Sequence, residues 1–312
     1  VNNTILNNYT SIIKEKAKDL GFSYCGIAKA DLLENEARKL ELWLNSNYHG
    51  EMQYMENYFD KRIDPRKLFE GAKSIISLSY NYYTDKKQID ENAPKISKYA
   101  YGYDYHEVIK TKLKTLLLHI SENIGEVNGR AFVDSAPILE RAWAVRAGLG
   151  WIGKNTMLIH KKGGSFFFLA ELILDIDLLY DIPETKNHCG SCTRCIDACP
   201  TNAIDPSGYV KANKCISYAT IELRTDIPEI FNHKMQNWMF GCDICNDVCP
   251  WNKFATNHNE SLFQANEIML KTTKKEWLEL SKDLFNVISK KSAIRRTKYE
   301  GLKRNIQFLE NI

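Results

Sequence analysis

The sequence predicts an α+β fold, in which an α/β layer with a mixed sheet is followed by a smaller cysteine-rich, ferredoxin-like domain. Three observations carry this. Helix-like and strand-like segments alternate over residues 1–180, the composition shifts near Asp181–Pro183, and eight of the nine cysteines fall between Cys189 and Cys249. Alternation of this kind is the pattern of helices laid on a sheet around one apolar core. The expected organisation is therefore 1–180 as the α/β domain, 181–255 as the cysteine-rich domain, and 256–312 as a helical, polar segment with a basic end.

The elements follow in order. Ile5–Leu20 has apolar residues at helical spacing, and Phe22–Ala28 reads as a short strand. Asp31–Asn45 is expected to be a helix with Asp31 as its N-cap. Ser74–Tyr82 is an apolar run of strand type, and Tyr105–Ile124 is a long amphipathic helix. Arg130–Val133 is expected to be a strand ending at Asp134. Pro137–Ala147 then reads as a helix, with Pro in its first turn and Gly148 at its stop. Met157–His160 and Ser165–Leu174 read as two strands joined by the turn Lys161-Lys162-Gly163-Gly164.

Apolar residues make up 44% of the chain and charged residues 26%, ordinary values for a globular protein. No apolar run reaches the length of a membrane span, and no basic-then-apolar leader opens the sequence, so a cytoplasmic protein that does not enter membranes is expected. The net charge of +3 does not by itself indicate a nucleic-acid partner. Its distribution is more telling. Lys290, Lys291, Arg295, Arg296, Lys298, Lys303 and Arg304 are opposed only by Glu300. Such a cluster can hold phosphates or can be a solvated helical face.

The run Cys189 to Pro200 reads C-G-S-C-T-R-C-I-D-A-C-P, the C-x2-C-x2-C-x3-C-P pattern of bacterial ferredoxins. Three thiolates on a tight loop bind one [4Fe–4S] cluster, and the fourth is carried on a helical turn to the other. A zinc site would use paired C-x2-C units instead. The second run, Cys242 to Pro250, reads C-D-I-C-N-D-V-C-P and lacks its first cysteine, a vacancy that Cys215 can fill. Crossed ligation then predicts Cys189, Cys192, Cys195 and Cys249 on one cluster and Cys199, Cys215, Cys242 and Cys245 on the other, with none left over. Cys25, in a predicted strand, is expected to be a small buried hydrophobe. Two such clusters pass single electrons, so their sink lies in residues 1–180 or in a cofactor bound there. No G-x-G-x-x-G follows a strand in that half, which argues against a Rossmann nucleotide site.

Several stretches carry a family resemblance. These are Val133-Asp134-Ser135-Ala136-Pro137-Ile138-Leu139-Glu140-Arg141-Ala142, Ala147 to Asn155 (A-G-L-G-W-I-G-K-N), Asp104-Tyr105-His106, Gly164-Ser165-Phe166, and Cys215 followed by Ile216-Ser217. Together they resemble the epoxyqueuosine reductases over nearly the whole chain, and more distantly the reductive dehalogenases. The resemblance implies a cobalamin-dependent enzyme that reduces epoxyqueuosine to queuosine at the wobble position of tRNA. In it, cob(I)alamin is fed by two [4Fe–4S] clusters, and the clusters by an external low-potential electron donor. It also implies a monomer. Alternatives are a dehalogenase-like reductase of small molecules and a ferredoxin-like electron-transfer protein without a corrin.

By the same resemblance Asp134 is the proton donor. Read from the residues alone, it is an N-cap of the following helix or a carboxyl whose pKa is raised by burial. The implied cobalamin contacts are Arg62, Ser97, Asp134, Leu158, Leu169, Ser217, Cys242 and Asp243. Arg62 can equally be a salt-bridge partner, and Leu158 and Leu169 can be plain core. His106, His119 and His160 are not expected to ligate cobalt, because the resemblance implies cobalamin held without a protein histidine. Arg224, Arg295, Arg296, Lys298, Lys303 and Arg304 are the candidates for tRNA phosphates.

Overall fold

The computed structural model describes residues 2–310. Its centre is an antiparallel sheet in the order β1 (Tyr24–Lys29), β2 (Ser74–Asn81), β7 (Phe167–Leu174), β4 (Gly129–Phe132). The two inner strands are almost wholly buried, which their Ile, Leu and Phe content allows. The fold is α+β as the sequence indicates. The sheet, however, is antiparallel throughout rather than mixed. Among the described residues the one parallel pairing is the short β3 (Lys95–Ile96) with β10 (Trp238–Phe240), away from the main sheet.

Alternation along the strands gives the sheet two different faces. Ile76, Leu78, Ala170, Leu172 and Leu174 meet α1 (Asn3–Asp19) and α3 (Tyr105–Ile124) through Ile13, Ala17, Ile109, Leu113, Leu116 and Ile120. On the other face Ile75, Phe132 and Ile173 pack on α4 (Glu140–Arg146), whose Trp143 is fully buried. This second face also carries Ser77, Ser79 and Glu171, all at most 1% exposed. Removing the Trp143 side chain leaves a large void in this layer. Trp143→Ala is expected to cost about 3–5 kcal/mol, seen as a lower urea midpoint at unchanged slope.

Three local expectations are corrected. The helix expected from Asp31 (α2) begins at Glu34 and is capped at Leu33, while Asp31 turns to an ion pair with Arg66 at 3.3 Å. The helix expected from Pro137 begins at Glu140, because the Glu140 carboxylate accepts the Asp134 amide at 2.6 Å and folds the intervening residues into a loop. The expected hairpin is only a His160–Gly164 bridge. Leu158–Ile159 (β6) pairs instead with Trp151–Ile152 (β5), and β7 is claimed by the central sheet.

The cysteine-rich part is built on two four-residue helical turns, Arg194–Asp197 and Ile244–Asp247, with a small hairpin of β8 (Ile204–Asp205) and β9 (Tyr209–Val210) between them. The chain then folds back. Residues from Ala265 to Ile306 bury Met269, Trp277, Ile288, Leu302 and Ile306 against Ile96, Met239 and Phe240 of the β3–β10 pair. Asn305 is fully buried in this seam and donates to the carbonyls of Thr220 (2.8 Å) and Met239 (2.9 Å). Among the described residues no helix is long and apolar enough to cross a membrane.

Candidate active site and cluster-binding cysteines

The eight clustered cysteines fall into two groups of four. Cys189, Cys192, Cys195 and Cys249 line one cavity of about 370 Å³, together with Lys154, His188, Trp251 and Phe254. In the other group, Cys242 lies close enough to Cys215 and Cys199 to feel their charges, and Cys245 close enough to feel Cys215 and Cys242. Each group draws a cysteine from both motifs, the partition that crossed ligation requires. No three Cys, His, Asp or Glu side chains among the described residues close on a single-ion site. The thiols of the first group instead surround a space sized for a body of several atoms. Burial pushes the Cys242 and Cys245 thiols up, so their thiolate forms call for a cationic partner, which cluster iron supplies. Cys25 packs at the edge of the helix-covered core, and burial pushes its thiol up to about 12.

Polar residues outside the motifs lock these loops to the sheet domain. Lys154 Nζ donates to the carbonyls of Gly190 (2.9 Å) and Cys192 (3.0 Å). Asn155 Nδ2 donates to the Cys245 carbonyl at 3.3 Å. The Ser165 amide donates to Asn252 Oδ1 at 2.7 Å. Gly164 has a φ of +74°, and a Cβ there would lie 2.1 Å from Asn252 Oδ1, so the approach needs glycine. Sequence reading quotes Lys154, Asn155, Gly164 and Ser165 but gives them no role. Asn246 and Asn252, which complete the network, carry no signal beyond their place beside cysteines.

Asp134 follows the end of β4 and has a φ of +49°, a conformation uncommon outside glycine but tolerated by Asp. Its side chain is 59% exposed, with charged and polar groups gathered beside it. Its Oδ2 accepts from the Tyr105 hydroxyl and lies 3.7 Å from His106 Nε2. His106 Nδ1 lies 2.7 Å from Asp104 Oδ1. Burial alone would lower the His106 pKa, but the carboxylates of Asp104 and Asp134 outweigh it and raise it to about 9. At Asp134 burial works upward, but the charged His106 nearby and the Tyr105 hydrogen bond prevail and hold the carboxyl below its usual range. The expectation of a burial-raised Asp134 is thereby corrected. At neutral pH the proton of this set resides on His106, beside an ionised Asp134.

Several of the other candidates lie within electrostatic reach: Tyr54 senses Glu222, Arg296, Asp134 and Arg62, and Asp134 and Arg296 sense each other. Arg62 is 7% exposed and donates from Nη2 to the Tyr54 carbonyl at 2.8 Å, while its Nε has no partner among the described residues. The Tyr99 ring connects Tyr105, at 6.2 Å, to Phe240, at 6.0 Å, and Phe240 stands just before Cys242. Ser97 and Asp243, both buried, are hydrogen-bonded to each other, and the Lys98 amide donates to Asp243 at 2.8 Å. Ser217 and Cys242 are half-buried. Leu158 is buried in the α4-side core, and Leu169 is half-buried beside it, facing the same side as Ser79 and Glu171. His119 lies on the α3 surface beside Asn123, at 3.3 Å, and His160 stacks on Tyr24 with ring centroids 3.4 Å apart.

The basic cluster divides in two. Arg295, Arg296 and Lys298 are exposed, and Lys303 is half-exposed. Arg296 is held by Glu222 through two 2.8 Å bonds, and Arg224 donates to the Arg296 carbonyl at 3.3 Å. Arg304 is different. Its guanidinium is spent on the carbonyls of Leu223, Thr225 and Ala219, a structural commitment.

Comparison with known proteins gives consistent matches. Residues 188–252 match the family described as "4Fe-4S double cluster binding domain", and residues 62–135 match "Epoxyqueuosine reductase QueG, DUF1730". The chain is 58% identical over 308 residues to an epoxyqueuosine reductase of Cyclobacterium marinum, covering 98% of each. It is 59% identical over 302 residues to that of Cellulophaga algicola, covering 97% of this chain and 98% of the relative. A crystal structure of epoxyqueuosine reductase with an epoxyqueuosine-modified tRNA stem loop superimposes with a TM-score of 0.86 at 29% identity, covering 97% of this chain and 81% of that one.

Proposed function

The chain belongs to the epoxyqueuosine reductase family, and from this we propose that it reduces epoxyqueuosine to queuosine at the wobble position of tRNA, using cobalamin and two [4Fe–4S] clusters. The observation that carries the reading is the run of contacts by which Asp134, His106 and Tyr105 are joined through Tyr99 and Phe240 to the Cys242 loop. A proton source and a cysteine set that can bring electrons thus lie at the two ends of one line of aromatic rings.

The residues gathered here fit a corrin. The buried Arg62 lacks a partner at Nε, which a phosphate or amide oxygen of the cofactor would satisfy. Tyr99 and Tyr105, both half-buried, offer flat apolar walls. Arg62, Leu158, Leu169, Ser217 and Cys242 would hold the cofactor. Ser97 and Asp243, engaged with each other, would do so through backbone. Bound cobalamin supplies a strongly reducing, nucleophilic cobalt for opening a strained epoxide.

Taking the epoxide oxygen away as water needs two electrons and two protons. In our reading His106 hands its proton to the ionised Asp134, which passes it to that oxygen as the C–O bond breaks; solvent reprotonates His106, and a second pass along the same relay completes the water. Tyr105 holds Asp134 Oδ2 in place. Cys189, Cys192, Cys195 and Cys249 hold one cluster, and Cys199, Cys215, Cys242 and Cys245 the other. An external low-potential donor feeds them, and the enzyme acts as a monomer in the cytoplasm. Arg224, Arg295, Arg296, Lys298 and Lys303 bind tRNA phosphates, whereas Arg304 serves the fold.

The test is anaerobic turnover of an epoxyqueuosine-bearing stem loop by protein loaded with both cofactors, read as queuosine by nucleoside analysis. Unchanged epoxide under those conditions would refute the reading. A charge-reversed Arg295→Glu/Lys298→Glu variant is expected to bind the stem loop more weakly. Its affinity should also depend less on salt, the slope flattening by about 0.7–0.9 for each phosphate that the variant no longer neutralises.

A further inference from the structure

We propose that Glu140 and Glu171 form a carboxylic acid–carboxylate pair sharing one proton in the resting protein, and that this pair positions Asp134. The second half rests on the reading of Asp134 given above; the first does not.

Glu171 is an anomaly in its strand. It stands in the middle of β7, opposite Ser77 of β2 and Phe132 of β4, and is 0% exposed. One oxygen accepts from Ser77 Oγ at 3.3 Å, and the other has no donor among the described residues. The Glu140 carboxyl lies against Glu171 as a side-chain partner. Two ionised carboxylates cannot hydrogen-bond to each other, and a buried one without a donor is costly. A single proton resolves both problems. Glu171 then donates to Glu140, and the Glu140 carboxylate accepts in turn from the Asp134 amide at 2.6 Å.

The surroundings point the same way. The groups facing the pair are Ser77 from β2, Asp134 from the end of β4, Arg141 from α4, and Tyr105, which senses Glu140, from α3. Arg141 is the cation among them, and its guanidinium is anchored on the Thr156 carbonyl. One cation beside a pair carrying one negative charge is balanced, whereas a doubly ionised pair would leave an excess charge buried next to Asp134. Burial and the neighbouring carboxyls raise both members of the pair, Glu171 well above the ordinary carboxyl range, so the pair keeps a proton at neutral pH.

The pair matters because Asp134 holds a positive φ. The Glu140–amide bond pins that conformation, and with it the side chain that meets Tyr105 and His106. Loss of the shared proton sets two carboxylates against each other and loosens the pin.

The experiment has two readouts on the cluster-loaded protein. Infrared difference spectra between neutral and alkaline pH are expected to show a protonated carboxyl band that disappears as the pH rises in the wild type and is missing in Glu171→Gln. A band unchanged by Glu171→Gln, or no band, would overturn the shared proton. In turnover, Glu171→Leu is expected to lose about a hundredfold in kcat through misplacement of Asp134. Glu171→Gln, which keeps a donor to Glu140, recovers most of that loss and lacks the alkaline fall caused by loss of the shared proton, keeping only the one set by His106. Wild-type kcat in Glu171→Leu would refute positioning. Should the leucine variant not fold, an alkaline fall in Glu171→Gln matching the wild type would refute it equally. An active Asp134→Asn would instead remove the catalytic reading of Asp134 and leave the carboxyl band untouched.

Discussion

Asp134→Asn reduces the kcat for epoxyqueuosine reduction by about a thousandfold, the scale of a lost general acid, while the protein still folds and binds its stem loop. The amide keeps the shape of the carboxyl and can still accept the Tyr105 hydrogen bond, but it can neither take a proton from His106 nor pass one on. A second measurement separates this from mere disturbance. His106 owes its elevation to about 9 to two carboxylates, Asp104 and Asp134. With one of them neutral, its pKa falls toward the ordinary histidine value, which a proton NMR titration of the imidazole reads directly. Turnover near wild type with an unmoved His106 would show that the proton comes from elsewhere. The same logic sets a pH limit for the wild type. Above about pH 9 His106 empties and the Asp134 set has no proton to give, so kcat falls with rising pH.

Cys249→Ala and Cys199→Ala each take the iron content from about eight to about four per chain and stop multiple turnover. The informative part is which cluster each removes. Cys249 belongs by sequence to the second motif but lines the same cavity as Cys189, Cys192 and Cys195. It is therefore expected to remove the cluster that Cys189→Ala removes. Cys199, from the first motif, lies by Cys215 and Cys242 and is expected to match Cys215→Ala. Electron paramagnetic resonance of the reduced variants distinguishes the two remaining clusters. If Cys249→Ala paired instead with Cys242→Ala, ligation would run straight within each motif and the assignment would fail. Activity is lost in either case because the two clusters form one path for electrons.

Spacing alone determined a good deal about this protein. The C-x2-C-x2-C-x3-C-P run and its incomplete copy fix local loop geometry, so a candidate grouping of cysteines, including the distant Cys215, could be written down without coordinates. Helical and strand periods are likewise local, and Tyr105–Ile124 and the Ser74 strand lie where they predict. Long-range contacts decided the rest. Whether β6 paired with β7 depended on what else could claim β7, and the central sheet did. Arg304 looks in sequence like its basic neighbours, but the fold buries it among carbonyls. Asp134 was visible as an acid at a strand end. Its charge state was not, because burial pushes it one way and His106 and Tyr105 push it the other, and only their placement settles which prevails. Glu171 gave no signal at all: a glutamate in an apolar strand becomes chemically distinctive only when a second carboxyl, far from it along the chain, closes over it.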